Sequence, residues 1–556
     1  MSPATNDDPA IERVAVIRPN VDESTVQAAA AATDVEHSMG LLKSLKLYRS
    51  ACLWSIFLST CIVMEGFDNA FLASLFAYPP FQRNFGVALP DGTYQLTAAW
   101  QTGLTNGVLA GQILGLFANG IIADRFGYRK TLVGALIACT AFIFIIFFSE
   151  SLVQLLIGEI FIGIPWGVFQ TVTTTYAAEV CPTHLRAYLT TYVNLCWVMG
   201  QFIASGVLRA MLARDDKWGY KIPFALQWAW PVPLIIGIWL APESPWWLVR
   251  HGRLEEAKKS LARLTTRNSG VPFNPDETVA MMVHTNEMEK ELLSGTSYTD
   301  LFKGVNLRRT EIVCVTWMIQ TLCGSTFMGY STYFYQQAGM AVENSFNMSL
   351  GQYALGAVGT VTSWFLMQWF GRRTIYLWGQ VAMCVLLLTI GCTAFAGKEN
   401  VAAQWAIGSL LLIYTFTYDA TVGPLCYSLV AELTSTRLRT KSVVLARNMY
   451  NITGIVTNII TPRMLNPTEW NWGAKSGFFW AGACFCCAVW TFFRLPEPKG
   501  RTYGELDVLF ESGVSARKFK STVVDSIDGI SRERVAEKEK AFAEEVMVER
   551  ADTRSK

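Results

Sequence analysis

Charged residues are scarce in this sequence, and their scarcity excludes several classes of protein. Asp, Glu, Lys and Arg together make up 16% of the 556 residues, whereas soluble proteins contain about 25%. The formal net charge is only +2 and no basic stripe is present. We therefore expect neither a soluble domain nor a nucleic-acid partner.

Histidine is also rare, and the motifs of the common enzyme classes are missing. The four histidines, His37, His184, His251 and His284, lie outside the long apolar runs. The sequence has no nucleophile elbow, phosphate-binding loop or metal-ligand cluster. Its 13 cysteines are scattered, without the spacing of a disulfide framework. The sequence thus predicts no enzyme activity, no cofactor and no bound metal.

Apolar runs, by contrast, are abundant. Hydrophobic residues make up 51% of the chain, and twelve runs are long enough to cross a bilayer as helices. This pattern predicts an all-α membrane protein with twelve transmembrane helices in two six-helix halves, residues 51–241 and 311–494. The runs cover residues 51–77, 99–122, 132–149, 152–176, 188–212, 224–241, 311–338, 350–368, 375–396, 403–431, 441–463 and 475–494.

Polar segments flank the two halves and separate them. Residues 1–50 read as a disordered cytosolic tail, and residues 495–556 as a cytosolic C-terminal tail. Residues 242–310 form a cytosolic linker with helices, because Leu254, Ala257, Leu261 and Leu264 recur at helical spacing. Basic residues cluster in the loops of this same side, which predicts a multi-pass membrane protein with both termini in the cytoplasm. We expect the membrane to be the plasma membrane.

Two acidic residues interrupt the first apolar run. Glu65 and Asp68 are three residues apart and share one face of a helix, with Gly66 between them. A charge near the middle of a membrane costs about 2.5–3.5 kcal/mol, and such residues usually mark an ion or substrate pathway. We interpret the pair as the proton site of a membrane transporter. The alternative is that both acids lie near the membrane surface and serve packing.

Charged motifs of the first half recur in the second at an offset of about 250 residues. This repeat predicts two pseudo-symmetric halves, which in a transporter rock around a site at the bilayer midplane. The matching motifs are Glu179 and Arg186 with Glu432 and Arg439, Gly127 with Gly371, and Pro242-Glu243 with Pro496-Glu497.

Three of the loops carry motifs that point to a family: Gly120–Lys130, Pro242–Pro245 and Pro496–Thr502. On these motifs, residues 50–502 resemble the sugar porter family of the major facilitator superfamily (the MFS fold). The resemblance implies ion-pair networks on the cytoplasmic side that open and close between conformations. The residues implied are Asp124, Arg125, Arg129, Glu179, Arg186, Glu243, Arg372, Glu432, Arg439 and Glu497.

Four further segments, Glu65–Asp68, Gly163–Thr171, Tyr192–Trp197 and Leu445–Asn448, are similar to the fungal α-glucoside (maltose-type) permeases. This closer resemblance implies proton-coupled sugar transport, with the proton taken up by the acids of the first helix. It also implies that the partners are a small sugar, protons and the lipid bilayer, with the protein acting as a monomer.

The sequence departs from the sugar porter pattern at several positions. Glu159 stands where many members carry arginine, and Gln368 replaces an acid. The family's Gln-Gln pair is Gln320-Thr321 here, and a later asparagine is Thr326. The contacts of a hexose site therefore cannot be transferred as a set, and a wider site for a disaccharide is consistent with these changes.

Sugars are uncharged polyols, so their recognition needs side-chain hydrogen bonds and aromatic faces. We expect polar residues inside the apolar runs to supply these contacts, although each could instead bond one helix to another. A Gly423-Pro424 pair predicts a hinge in the tenth helix. The candidate sugar ligands are Asn194, Gln201, Gln320, Thr326, Tyr330, Tyr418, Asp419, Tyr427, Asn448 and Asn451.

Arg447 is the expected counterion of the acids. A guanidinium stays charged inside the membrane and needs a carboxylate partner. If Arg447 approaches Glu65 or Asp68 in one conformation only, a proton is released there and taken up in the other conformation. This alternation would couple the proton to the sugar.

Other functions remain open at this point. One is an importer or exporter of another polyol-like metabolite, since a fold does not determine a substrate. Another is a transporter-like sugar sensor. The sequence leaves Gln112 undecided between the proton path and packing. Asn347, in a predicted extracellular loop, begins an Asn-X-Ser glycosylation motif.

Overall fold

The protein is almost entirely helical in the part of the chain that the structure describes. The structure is a computed structural model, and it describes residues 41–90, 92–266, 273–293, 298–397, 399–434, 438–499, 501, 506 and 509–522. Two short strands, Val87–Ala88 and Tyr94–Gln95, pair in an antiparallel manner between the first two long helices.

Ten helical segments in these residues are long and apolar enough to cross a membrane. Two more, of 28 and 27 residues, have a similar length but more polar residues. Together they form twelve spans, which we number in chain order. The spans are Arg49–Leu75, Ala98–Phe126, Tyr128–Phe147, Leu152–Val180, Thr183–Met211, Trp218–Leu240, Gly304–Gly329, Val342–Trp369, Arg372–Ala396, Val401–Leu433, Arg439–Leu465 and Gly473–Arg494.

Several spans are broken. Span 1 consists of Arg49–Ser59 and Cys61–Leu75, and span 6 consists of Trp218–Leu226 and Pro231–Leu240 joined by a short turn. Two spans of the second half are broken as well. The helices of span 7 are Gly304–Gln320 and Thr326–Gly329, followed by Ser331–Gln337, and those of span 10 are Val401–Ala420 and Val422–Leu433.

Short helices lie outside the spans. Pro79–Phe85 follows span 1, and Pro245–Arg250, Leu254–Leu264 and Pro275–Leu293 belong to the central insert. Leu41–Leu47 is helical as well, although we predicted from the sequence that it belongs to a disordered tail. Residues 1–40 of that tail lie outside the described residues. We call the side of the molecule with Pro245–Arg250 the insert face, and the other side the opposite face.

Helix packing repeats between the two halves. Span 2 packs on span 4, span 1 on span 5 and span 3 on span 6, and in the second half span 8 packs on span 10, span 7 on span 11 and span 9 on span 12. Spans 5 and 8, and spans 2 and 11, join the halves. This arrangement confirms the predicted fold of two pseudo-symmetric six-helix halves.

Glycine permits the close packing of span 1 on span 5. A Cβ atom on Gly66 would lie 2.0 Å from the carbonyl oxygen of Trp197, and one on Gly200 would lie 2.1 Å from that of Val63. Real Cβ atoms do not approach oxygen so closely, so both positions require glycine. Gly66 therefore lets span 5 pack directly against the segment that carries the two acids.

Large apolar side chains such as Phe117, Ile236 and Phe485 are exposed on the outside of the bundle, as expected for a surface that faces lipid. Every apolar run predicted from the sequence overlaps one of the spans. Most helices extend a few residues beyond the runs, because polar residues are tolerated where a helix leaves the hydrocarbon.

Candidate functional site

A central cavity lies between the two halves. Its volume is about 470 Å³, within the range of about 300–1,000 Å³ that small-molecule sites occupy. Spans 1, 2, 4 and 5 line one wall, and spans 7, 10 and 11 line the other. The lining continues to Ala178 and Val443, which lie close to the ends of their helices at the insert face. The cavity therefore extends to the insert face.

Bonds between the halves close the cavity at the opposite face. The hydroxyl groups of Ser74 and Thr332 are 3.2 Å apart, and Gln336 Nε2 donates to the carbonyl oxygen of Ala77 at 2.8 Å. These contacts join span 1 to the helix that follows span 7. The molecule is thus in a conformation that opens towards the insert.

Glu65 lines the cavity and is held by two amides. Its side chain is 2% exposed, and its Oε1 accepts from Gln112 Nε2 at 3.2 Å and from Gln170 Nε2. Oε1 of the same Gln170 accepts from Arg447 Nε at 3.0 Å. One amide side chain therefore connects an acid of the first half to a cation of the second.

Arg447 is held by aromatic rings as well as by Gln170. Its guanidinium lies 4.6 Å from the ring centres of both Trp317 and Tyr450. Aromatic faces stabilise a cation where water is largely excluded. We predicted a carboxylate partner for Arg447, but in this conformation no described carboxylate forms an ion pair with it, and Gln170 lies between it and Glu65.

Asp68 does not line the cavity, although the sequence placed it on the same face as Glu65. It is fully buried and accepts from Gln227 Nε2 at 2.8 Å and from Trp166 Nε1 at 3.4 Å. Three residues along a helix leave two side chains roughly 60° apart. That rotation turns Asp68 towards spans 4 and 6, while Glu65 faces the cavity.

A third buried acid lies beside Asp68. Glu159 of span 4 is fully buried, and its carboxyl group lies near that of Asp68. Neither carboxyl oxygen of Glu159 has a hydrogen-bond partner among the described residues. From the sequence we identified Glu159 only as a departure from the family pattern. No local pattern indicates that span 4 packs against span 1 at this position.

Seven of the predicted sugar ligands line the cavity. Some also bond to neighbouring helices: Gln320 Nε2 donates to the carbonyl oxygen of Gly423 at 2.8 Å, and the Tyr330 hydroxyl donates to Thr105 Oγ1 at 3.1 Å. Gly423 follows the break in span 10, where the predicted hinge lies. The seven are Asn194, Gln201, Gln320, Thr326, Tyr330, Tyr418 and Tyr427.

The other three, Asp419, Asn448 and Asn451, do not line the cavity in this conformation, and their contact with sugar stays a prediction. Each follows by one position a residue that does line it, namely Tyr418, Arg447 and Tyr450. One step along a helix rotates a side chain by about 100°. Asp419 faces span 8 instead, where a Cβ on Gly356 would lie 2.6 Å from its Oδ2.

Sequence reasoning missed several lining residues. Thr171, Thr174 and Thr175 present hydroxyl groups on one side of span 4, and Trp317 adds an aromatic face from span 7. Hydroxyl side chains that are three and four residues apart in an apolar run share one face of a helix, and this spacing could have identified them as lining residues. Gln170 had no such signal, since its role depends on the distance between spans 4 and 11.

Buried and half-buried acids organise the insert face of the first half. Glu243 accepts from the backbone N–H groups of Tyr128 at 3.1 Å and Arg129 at 3.2 Å, which begin span 3. Burial raises the pKa of Glu243, and these N–H groups oppose the rise. Glu179 accepts from the Tyr128 hydroxyl at 3.0 Å and forms an ion pair with Arg250 at 2.6 Å.

Equivalent acids organise the second half with fewer partners. Glu497 accepts from the N–H of Thr374 near the start of span 9 at 3.4 Å, and Arg372 pairs with Glu432 at 3.4 Å. In this conformation the acids thus bind partners within their own half or the insert. The side chains of Arg186 and Arg439 lie outside the described residues.

The remaining loop residues do not form the predicted pairs. The side chains of Asp124 and Arg125 are exposed, and neither forms an ion pair with a described residue. Arg125 lies 5.7 Å from the ring of Phe126. Arg129 donates to the carbonyl oxygen of Ala241 at 3.4 Å, so its side chain bonds to backbone rather than to an acid.

Asn347 lies in the second turn of span 8, not in the predicted loop. Its side chain is on the opposite face, where its Oδ1 accepts from Arg209 Nε at 2.5 Å. The loop that precedes span 8 is shorter than the apolar pattern indicated, because a polar segment continues the helix.

The sequence model of the family described as "Sugar (and other) transporter" matches residues 54–510. The chain belongs to this sugar transporter family. It is 46% identical over 499 residues to the general alpha-glucoside permease of Saccharomyces cerevisiae, covering 89% of this chain and 80% of that protein. It is 42% identical over 515 residues to the maltose permease MAL61 of the same species, covering 91% and 83%.

Solved structures of this sugar transporter fold are also similar to the chain. The proton:xylose symporter XylE bound to 6-bromo-6-deoxy-D-glucose superposes with a TM-score of 0.67 at 19% identity, covering 83% of this chain and 99% of that one. The partially occluded, inward open XylE from E. coli gives a TM-score of 0.64 at 18% identity, covering 82% and 99%. At this identity the likeness establishes the major facilitator fold alone. The chain is a transporter and not an enzyme.

Proposed function

We propose that the protein takes up α-glucosides, maltose-like di- or trisaccharides, together with protons across the plasma membrane. The names of the permeases that share 42–46% of its sequence support this substrate class. The main structural support is the connection from Glu65 through Gln170 to Arg447, which joins an acid that faces the cavity to the other half. Both termini and the insert lie in the cytoplasm in this proposal, and the monomer is the working unit.

The lining of the cavity suits a sugar. Aromatic side chains from Trp317, Tyr418 and Tyr427 can pack on the C–H faces of sugar rings, while Asn194 and Gln201 can bond hydroxyl groups. A cavity of about 470 Å³ has room for more than one ring. In the conformation described here, the sugar would leave towards the insert.

The coupling follows from what each half contributes. An ionised Glu65 is compensated when Gln170 and Arg447 are near it, and burial without them favours the neutral acid. Tilting of the halves changes that neighbourhood, so a proton is bound in one conformation and released in the other. Asp68 and Glu159 form a second pair of neighbouring acids, which lies beside the cavity but does not line it.

The driving force is sufficient. One proton yields about 2.3 kcal/mol per 100 mV and about 1.4 kcal/mol per pH unit. At ~150 mV and ~1 pH unit the total is about 5 kcal/mol, which supports an accumulation on the order of thousands-fold.

A yeast strain without its own sugar transporters tests the proposal. Adding maltose, maltotriose, glucose or a polyol to cells that express the protein should make the medium alkaline only for α-glucosides. Uptake that ignores external pH and uncouplers would mean facilitated diffusion, and a response to another substrate alone would refute the α-glucoside assignment. Signalling without transport would identify a sensor.

A matched pair of variants tests the proton site in the same cells. We expect Asp68→Asn to abolish sugar-dependent proton uptake, while Asp419→Asn retains it, because both acids are buried but only Asp68 belongs to the acid cluster of the first half. Wild-type accumulation of sugar by Asp68→Asn would refute the assignment.

A further inference from the structure

A second concave site lies at the insert face, apart from the central cavity. It is a cleft of about 240 Å³ between the start of span 3, the end of span 6 and the insert helix Leu254–Leu264. It shares no lining residue with the central cavity. We call it the basic cleft, and its charged lining residues are Arg129, Lys130, Glu243, Arg253, Glu256, Lys259 and Arg263.

The basic cleft has an excess of positive charge that the described residues leave uncompensated. Of its five cations only Arg253 has a carboxylate partner, Glu256, at 2.6 Å. The other acid, Glu243, is occupied by the backbone N–H groups at the start of span 3. Lys130 and Lys259 are exposed, and no described carboxylate forms an ion pair with either.

The two remaining arginines reach into the same place from opposite walls. Arg263 donates to the carbonyl oxygen of Leu240 at 2.5 Å, and Arg129 donates to that of Ala241. The Nε of Arg129 is buried and has no hydrogen-bond partner. A buried guanidinium N–H without an acceptor costs free energy, and phosphate oxygens in the cleft could pair with the other N–H groups of the two arginines.

The cleft opens beside the lipid-facing surface. Phe126 lines it and is half exposed, and Trp239 and Leu240 at the end of span 6 are more than half exposed. Aromatic residues of this kind are typical of the boundary between hydrocarbon and water. An anion in the basic cleft would therefore lie at the depth of the phospholipid headgroups.

The second half repeats part of this arrangement. Arg373, the equivalent of Arg129, donates to the carbonyl oxygen of Phe492 at 2.8 Å. Arg517, from the segment after span 12, lies 4.9 Å from the ring of the same Phe492. In both halves the arginine thus bonds to a backbone carbonyl at the end of the last span of its half.

We propose that the basic cleft binds a multiply phosphorylated anion that connects the insert to the first half. Basic pockets next to spans attract phosphorylated headgroups, and arginine pairs well with phosphate oxygens. The anion could be the headgroup of a phosphoinositide or a soluble polyphosphate, and both present the same chemistry to the cleft.

Binding to the purified full-length protein tests the proposal. The probes are a short-chain phosphatidylinositol bisphosphate, soluble inositol hexakisphosphate and an uncharged phosphatidylcholine of equal chain length. We expect saturable binding of at least one phosphorylated probe, weakened by salt. Binding of the lipid alone identifies a headgroup site, and binding of both identifies a phosphate site. Binding of neither overturns the proposal.

Matched double variants locate the binding. Lys130→Gln with Lys259→Gln removes two exposed cations of the cleft and should weaken binding about thirtyfold. Lys258→Gln with Lys303→Gln removes two exposed cations outside it, which are paired with acids, and should change affinity less than threefold. Equal weakening by both pairs, in variants with wild-type melting temperatures, would overturn the proposal.

Discussion

The two halves repeat one architecture but carry different chemistry in their interiors. The first half holds three buried acids: Glu65 and Asp68 accept from amide side chains, and Glu159 lies beside Asp68. The second half contributes Arg447 between two aromatic rings, together with most of the aromatic lining of the cavity. We propose from this difference that the first half handles the proton, with Gln170 connecting it to the second half, while both halves line the sugar cavity.

The helices that line the cavity also differ between the two halves. Beside the cavity, span 7 contains a π turn in which Gly324 has a φ of 96°, and span 10 is interrupted at Thr421. Span 4, which carries Gln170, is continuous despite Pro165. Broken helices can adjust around a substrate, whereas the continuous span 4 keeps Glu159 and Gln170 in fixed positions relative to each other.

The largest expected effect comes from removing the acid that faces the cavity. Glu65→Gln should reduce sugar accumulation from on the order of thousands-fold to equilibration, because no proton then drives transport. Exchange of labelled for unlabelled sugar should continue, since the cavity keeps its shape. Accumulation ratios and exchange rates measured in the same vesicles check this.

Asp419→Asn is the control, since it neutralises a buried acid of the second half. It should retain accumulation within about threefold, because Asp419 does not line the cavity. Loss of accumulation in both Glu65→Gln and Asp419→Asn would contradict the proposal that the first half handles the proton.

Arg447→Lys tests the contribution of the second half to the proton site. Lysine keeps the charge but loses the flat contact with Trp317 and Tyr450 and the bond to Gln170. We expect coupled transport to fall about a hundredfold in kcat/KM, as measured by initial uptake rates at several external pH values.

The matched change is Arg463→Lys, on an exposed side chain in the last turn of the same helix. It should leave the rate near that of the wild type. A rate for Arg447→Lys close to that of Arg463→Lys would show that charge alone suffices at position 447.

Gln170→Met should lower the ratio of protons to sugar transported about tenfold, because it removes the connection between the halves. It removes two hydrogen bonds to charged groups, each worth about 1.5–3 kcal/mol at most, while a polar path through water replaces part of the loss. The effect should appear as a smaller ratio of protons to sugar, obtained by recording both fluxes together.

Gln112→Met removes a bond to the same Glu65 within the first half. It should lower the rate by no more than about threefold and leave the flux ratio unchanged. If Gln112→Met lowers the ratio as much as Gln170→Met, the connection across the halves is not what matters.

The smallest effect concerns the glycines that begin spans 3 and 9. Gly127 has φ 87° and ψ 163°, a conformation that only glycine adopts readily, and a Cβ there would lie 2.6 Å from Glu243 Oε2. Gly127→Ala should therefore lower the unfolding free energy by about 2–3 kcal/mol.

Gly371 has an ordinary φ of −72°, so Gly371→Ala requires only that Glu497 move and should cost about 1 kcal/mol. Thermal unfolding of both variants in detergent, with equal transport per folded molecule, checks the difference. A larger loss for Gly371→Ala would contradict it.

The fold was predictable because membrane insertion imposes long apolar helices, and the repeat of Glu243 and Glu497 marks the two halves. Glu65 was predictable for a related reason, since a carboxylate inside an apolar run needs a function or a partner. The sequence could not show which of two adjacent residues on a helix lines the cavity. Asp419, Asn448 and Asn451 share their spans with lining residues but point away from the cavity.

Contacts between distant segments were not predictable from single residues. Gln170 and Arg447 are on different halves, and Arg250 belongs to the insert whereas its partner Glu179 ends span 4. No local pattern contains the distance between such segments. The proximity of Glu159 to Asp68 could not be predicted for the same reason, although the sequence shows both residues as acids in apolar runs.

The burial of Asp68 behind the wall of the cavity has a consequence for idle molecules. The cavity is lined by Glu65 but not by Asp68 or Glu159, which are fully buried behind its wall. We expect exchange of a proton on these two acids to require movement of the helices. A transporter without bound sugar should therefore not conduct protons through these two acids, which would dissipate the proton gradient that drives uptake.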